Sequence, residues 1–150
     1  MTRQPDFLLL QVRNPDDSMR EHEIQCFPRS FRYDLDRIRI FDLLSGVPSP
    51  REPSKADVVL LGGSGDYSVA RGGPWLLVAL ETMRQLYETS KPTFASCRGF
   101  QAMARDLGGK VVTDHSRAEV GTLWLKLTPE GRSAGLGSSS GHRARLLRMR

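Results

Sequence analysis

The run Lys91-Pro92-Thr93-Phe94-Ala95-Ser96-Cys97-Arg98-Gly99-Phe100-Gln101 decides the fold of this chain. A short apolar stretch (Pro92, Phe94, Ala95) leads into Cys97, and the helix-forming pattern Gln101-Ala102-Met103-Ala104-Arg105-Asp106-Leu107 follows it. The order reads strand, sharp turn, helix, with the cysteine on the turn. A thiol at that position faces the free N–H groups of a helix start. These carry roughly half a positive charge and favour thiolate over thiol. The same turn presents the N–H of Arg98 to a developing oxyanion. Cys97 is therefore the candidate nucleophile.

Strands and helices alternate on both sides of this run. Phe7 to Val12 is a continuous apolar stretch, suited to a strand buried on both faces. Asn14-Pro15-Asp16-Asp17-Ser18 supplies turn and N-cap chemistry, and a helix is expected from about Met19 to Phe31, interrupted at Pro28. Arg37 to Phe41 and Asp57 to Leu61 read as the next two strands, separated by a Pro/Ser/Gly loop at 45–53. Pro74 to Tyr87 is the clearest helix, with proline in its first turn. Thr93 to Ser96 is the strand that enters the cysteine turn. The helix after it should stop at Gly108-Gly109. Lys110 to Thr113 and Val120 to Leu127 read as further strands. This alternation predicts an α/β protein with a mostly parallel sheet covered by helices, a three-layer sandwich.

Bulk properties narrow the functional classes. The chain has 150 residues, 39% hydrophobic and 26% charged, within the ordinary range of a globular protein. No apolar run approaches the ~18 residues that span a bilayer. Met1 to Asp6 leads into an apolar run only six residues long, without a small-residue cleavage site, and reads as the approach to a strand rather than a secretory leader. Two cysteines, Cys26 and Cys97, make no disulfide framework. A cytoplasmic location is the expectation from these features. The formal net charge is +5, but it is not spread over the chain. Five of the 22 basic residues (Arg132, Arg143, Arg145, Arg148, Arg150) lie in 132–150, and all 17 acids precede them. Residues 1–131 thus balance at 17 and 17, so no basic binding face and no nucleic-acid partner is expected. The sequence divides into a domain at 1–131 and a low-complexity, basic tail at 132–150 that is expected to lack structure.

Three motifs, in order, resemble the class I glutamine amidotransferase family. Ala95-Ser96-Cys97-Arg98-Gly99-Phe100-Gln101 is similar to its Gly-x-Cys-x-Gly-x-Gln elbow, departing only at Ala95. Gly62-Gly63-Ser64-Gly65 falls where that family has a glycine-rich oxyanion loop after the third strand. Glu119-Val120-Gly121-Thr122, followed by Leu125 to Thr128, is similar to a third family feature. The resemblance implies a flavodoxin-like fold and hydrolysis of glutamine or another γ-glutamyl small molecule through a thioester. It implies Cys97 as nucleophile, the N–H groups of Gly63 and Arg98 as oxyanion donors, and Gln101 as a substrate-holding residue. No cofactor or metal is implied, and the acceptor of the ammonia is not named by any of these motifs.

The resemblance also has a gap. The family's base and its orienting acid lie in a His-Pro-Glu unit that these 150 residues lack. The histidines here are His22, His115 and His142, none in such a setting; Gly141-His142 resembles only a Gly-His-x-Asp unit, with Ala144 in place of the acid. The chain therefore reads as a C-terminally truncated member, with weak or absent activity and a tendency to expose apolar surface. The change of composition near Arg132 is of the kind a shifted reading frame in GC-rich DNA produces; a gene fragment and a genuine short variant are the alternatives.

Plainer readings stand beside these. Cys26 reads as a small buried hydrophobe, and Gly62 to Gly65 would also serve a tight turn. The loop lacks the Gly-Lys-Ser/Thr of a phosphate loop, and Ser68 breaks a Gly-x-Gly-x-x-Gly pattern. His22-Glu23 opens like a zinc-protease motif, but Cys26 stands where the second histidine would be. Two other functions remain open. One is an elbow-cysteine hydrolase whose thiol is tuned by an early acid (Asp16, Glu21 or Glu23). The other is a non-catalytic binding or regulatory domain with an acidic partner for its tail.

Overall fold

The computed structural model of the chain describes residues 3–117, 121–125, 128–129 and 144–148. The chain divides into two units, Met1–Val112 and Thr113–Arg150.

The first unit is built on a four-stranded parallel sheet. Its strands are β1 (Phe7–Gln11), β2 (Ile38–Asp42), β3 (Val58–Leu61) and β4 (Thr93–Ala95), in the order β2-β1-β3-β4. β1 is central. Leu9 lies opposite Ile40 on one side and Leu60 on the other. All five of its residues are buried, as an apolar run in the middle of a parallel sheet requires.

The two-residue period of the strands splits the core. Leu8, Leu10, Val59 and Leu61 point to one face, where they meet Leu76 and Met83 of α3 (Pro74–Glu88) and Ala102 of α4 (Arg98–Asp106). Phe7, Leu9, Ile38 and Leu60 point to the other, where Ile24, Phe27 and Phe31 of α1 (Met19–Phe31) cover them. The buried α3 residues Leu76, Ala79, Met83 and Leu86 recur at helical spacing, so one stripe of that helix faces the sheet. Each fully buried leucine contributes about 1.5–3 kcal/mol. The result is the expected three-layer α/β sandwich. A one-turn helix, α2 (Arg51–Ser54), lies in the loop before β3.

Three local features differ from the sequence reading. Pro28 does not interrupt α1, which runs through it to Phe31. Lying near the C-terminal end, it removes one i to i−4 bond without stopping the helix. Lys110 to Thr113 form no strand. Val111 is half-buried against the core while Val112 is exposed, so one side chain packs without a sheet ladder. The third difference lies in the second unit, where β5 (Gly121–Leu125) pairs antiparallel with β6 (Ala144–Arg148). β6 falls within the stretch that the sequence reads as tail. Pairing gives the backbone groups of both segments their ladder partners. Glu119, Val120, residues 126–127, residues 132–143 and His142 lie outside the described residues.

α4 ends as expected. The Gly109 N–H donates to the Ala104 carbonyl (2.7 Å) and the Gly108 N–H to Arg105 (3.1 Å). Gly108 has φ +88, the left-handed conformation that such a helix stop needs.

Candidate active site

The candidate site stands at the carboxyl ends of β1, β3 and β4, where open α/β sheets place their ligands. Cys97 is the N-cap of α4, with φ 51 and ψ −116. That conformation is sparsely populated for any residue with a Cβ and costs of order 1–3 kcal/mol. It persists because the flanking backbone fixes it. The Ser96 N–H donates to the Leu61 carbonyl (2.9 Å), and the Gly99 N–H donates to Gly62 (3.0 Å) and Ser96 (2.9 Å). Gly99 is required at its position: a Cβ there would lie 2.5 Å from the Leu61 Cβ and 3.0 Å from the Leu61 carbonyl oxygen. The thiol itself is exposed and free, so the turn holds it out to solvent.

The glycine loop after β3 is stitched to this elbow. Besides the Gly99–Gly62 bond, the Arg98 guanidinium donates to the Tyr67 carbonyl and the Arg105 guanidinium to that of Val69. The Tyr67 hydroxyl donates to Asn14 Oδ1 (2.7 Å), and its ring meets Trp75 edge-on. The Arg98 side chain is thus half-buried and braces the loop. A void of about 20 Å³ lies beneath the elbow among Leu61, Gly62, Arg98 and Gly99, large enough for one water.

Of the two expected oxyanion donors, one is free. Among the described residues the Arg98 N–H has no acceptor. The Gly63 N–H has one: it donates to Glu23 Oε1 at 2.8 Å. In this arrangement the Gly63 N–H is engaged by a buried carboxylate that competes for it. Gln101 lies one turn into α4 with its N–H on the Cys97 carbonyl (3.1 Å), and its half-buried side chain has no hydrogen bond among the described residues.

Glu23 belongs to a polar cluster that the motifs do not reveal. Its Oε2 accepts from Arg13 Nε (3.1 Å) and Gln11 Nε2 (3.1 Å), and Arg13 also pairs with Asp17 (2.8 Å). The Arg13 and Glu23 side chains are only 10% and 7% exposed, so the pairing is what makes their burial tolerable. Burial works against the Arg13 charge, but hydrogen bonds to Asp17 and Glu23 outweigh it and raise its pKa. Asp17 is held below the usual carboxylate range by the Met19 N–H and then by Arg13. Gln11 Oε1 is buried without a partner among the described residues. The sequence signal for this cluster is Gln11 and Arg13, polar residues closing an otherwise apolar strand.

The remaining candidates stand apart from Cys97. His22 is exposed on α1, and His115 is exposed in a turn where Asp114 accepts from Ser116 and Arg117. Among the described residues no hydrogen bond joins a histidine or an acid to Cys97. Of the early acids, Asp16 is exposed, Glu21 is exposed and bonded to Gln25, and Glu23 is committed as above. Among the described residues no three His, Cys, Asp or Glu side chains form a metal-binding group. No helix there is long and apolar enough to cross a membrane. A larger cavity, about 350 Å³, lies at the amino-terminal ends of β3 and β4, lined by Pro50, Pro53, Leu86 and Lys91, away from the elbow.

A parallel sheet in this order, covered by helices on both faces, is a flavodoxin-like architecture consistent with a class I glutamine amidotransferase-like fold. Comparison with solved structures bears this out. The chain is similar to the crystal structure of a glutamine amido transferase from Methylobacillus flagellatus, with a TM-score of 0.64 and 20% sequence identity. The likeness covers 99% of this chain and 56% of that one, so the chain spans little more than half the length of that protein. No protein-family model and no curated protein matches the sequence.

Proposed function

We propose that this chain carries the nucleophile half of a glutaminase site. The observation that supports this most is Cys97 itself, exposed and held at φ 51 on the strand-to-helix turn of an amidotransferase-like sheet. In the proposed reaction the Cys97 thiolate attacks the side-chain amide carbon of glutamine or a related γ-glutamyl compound, forming a C–S bond. The oxyanion accepts from the Arg98 N–H at the α4 terminus. The C–N bond then breaks as a solvent water gives a proton to the leaving nitrogen, and ammonia departs, leaving a γ-glutamyl thioester. Water hydrolyses the thioester to glutamate. Gln101, one turn into α4, would help hold the substrate.

Among the described residues no base or acid is hydrogen-bonded to Cys97 on this path. His22 and His115 are exposed, with no hydrogen bond to Cys97, and a positioned proton donor is worth ~10²–10⁴ in rate. Slow turnover of glutamine by this chain is therefore part of the proposal. The test combines ammonia release from glutamine with labelling of Cys97 by a chloroketone analogue of glutamine, followed by peptide mass spectrometry. Selective labelling of Cys97 that free glutamine protects against, with ammonia release slow or absent, supports the reading. A chain that iodoacetamide alkylates at Cys97 but the analogue does not would overturn it.

A further inference from the structure

We propose that Glu23 is a latch on the oxyanion site, a positioning residue that decides whether the Gly63 N–H is available to the reaction. The inference rests on the glutaminase reading above and adds a control element to it. The Gly63 N–H donates to Glu23 Oε1 at 2.8 Å, a charge-assisted bond, in a cluster where Glu23 is 7% exposed. Glu23 belongs to α1, which covers the face of the sheet opposite α3 and α4. The donor is thus drawn toward α1, while the Arg98 N–H stands at the start of α4.

The surroundings fit the contact closely. A Cβ on Gly62 would fall 2.1 Å from Glu23 Oε1, and one on Gly63 would fall 2.8 Å from an Arg13 guanidinium nitrogen. Both glycines are therefore needed for the carboxylate and its arginine to reach the loop. The contact is mechanically linked to the nucleophile, because Gly62 accepts from the Gly99 N–H in the first turn of α4. An N–H given to a full carboxylate is withheld from an oxyanion that exists only in the transition state. Attack with both donors requires exchanging the Glu23 bond for the oxyanion.

The test uses the full chain and a γ-glutamyl p-nitrophenyl ester. Here the thiolate forms the C–S bond, the C–O bond breaks, and nitrophenolate leaves without needing a proton, so the step does not depend on a general acid. Glu23→Gln weakens the acceptor, and Glu23→Asp keeps the charge beside Arg13 but shortens its reach to Gly63. The burst of nitrophenolate should rise at least ~10-fold in either folded variant, since an oxyanion donor is worth ~10²–10³. Alkylation by iodoacetamide, which forms no oxyanion, should stay within about twofold of wild type. A burst that is unchanged or slower, with alkylation unchanged, overturns the latch but leaves Cys97 as nucleophile. Alkylation at Cys97 with no burst in the wild type or either variant overturns both.

Discussion

Replacing Cys97 by glycine should make the protein more stable than replacing it by alanine. Both substitutions remove the thiol, so the comparison isolates the backbone. At φ 51 and ψ −116 the alanine Cβ keeps the strain that cysteine carries, of order 1–3 kcal/mol, and glycine releases it. Glycine is also the better N-cap residue of the two. Against this stands the extra freedom of glycine in the unfolded chain, about 0.5–1 kcal/mol. The balance favours Cys97→Gly by about 1–2 kcal/mol. With a urea slope of ~1–3 kcal/mol/M, its denaturation midpoint should lie roughly 0.5–1 M above that of Cys97→Ala. Arg32→Gly is an internal benchmark. Arg32 sits at φ 59, ψ 43, the ordinary left-handed region, and should gain less. Equal midpoints for the two Cys97 variants, or a lower one for glycine, would refute the strained elbow on which the functional reading depends.

Three further outcomes follow from the same contacts. Gly99→Ala gains helix propensity but drives a methyl to 2.5 Å from the Leu61 Cβ, so a net loss of about 1–2 kcal/mol is expected by urea denaturation. Arg98→Met leaves the Tyr67 carbonyl without its guanidinium donor and should speed amide hydrogen exchange across residues 64–69, at a stability loss of about 1 kcal/mol. Unchanged exchange would mean that Arg98 does not brace the loop. Asp17 has a folded pKa depressed by the Met19 N–H and by Arg13. Its contribution to stability is present above its unfolded value of ~4 and is lost as pH falls through the folded value. Asp17→Asn should therefore flatten the loss of stability on acidification in that range, measured as urea midpoint against pH.

The scaffold is legible in the sequence because its signals are local. The apolar run Phe7 to Leu10 fits a strand buried on both faces, and Pro74 and Gly108 punctuate their helices by backbone chemistry that neighbours do not alter. The elbow is legible for the same reason: strand, Cys97, Gly99 and helix lie within a dozen residues. Lys110 to Thr113 shows the limit of such reasoning. Its two valines fit a strand, but a strand needs a partner ladder, and Val111 packs half-buried against the core without one. The oxyanion loop shows another. The glycines at 62 and 63 mark where a backbone approaches something closely, but not what approaches it. The answer is Glu23, 40 residues earlier, reached only once α1 has packed on the sheet. Arg98 is similar, since its side-chain partner at Tyr67 exists only after the loop folds back toward α4.

The central claim is that Cys97 is a nucleophile for γ-glutamyl compounds. It is tested most directly by mixing the full chain with a γ-glutamyl p-nitrophenyl ester, quenching in acid, and mapping the product by mass spectrometry. The expected product is one γ-glutamyl group per chain, on the peptide that contains Cys97, absent from Cys97→Ser and reversed by hydroxylamine. An unmodified Cys97 in a folded chain whose thiol still reacts with iodoacetamide, or an adduct on Cys26 instead, would contradict it.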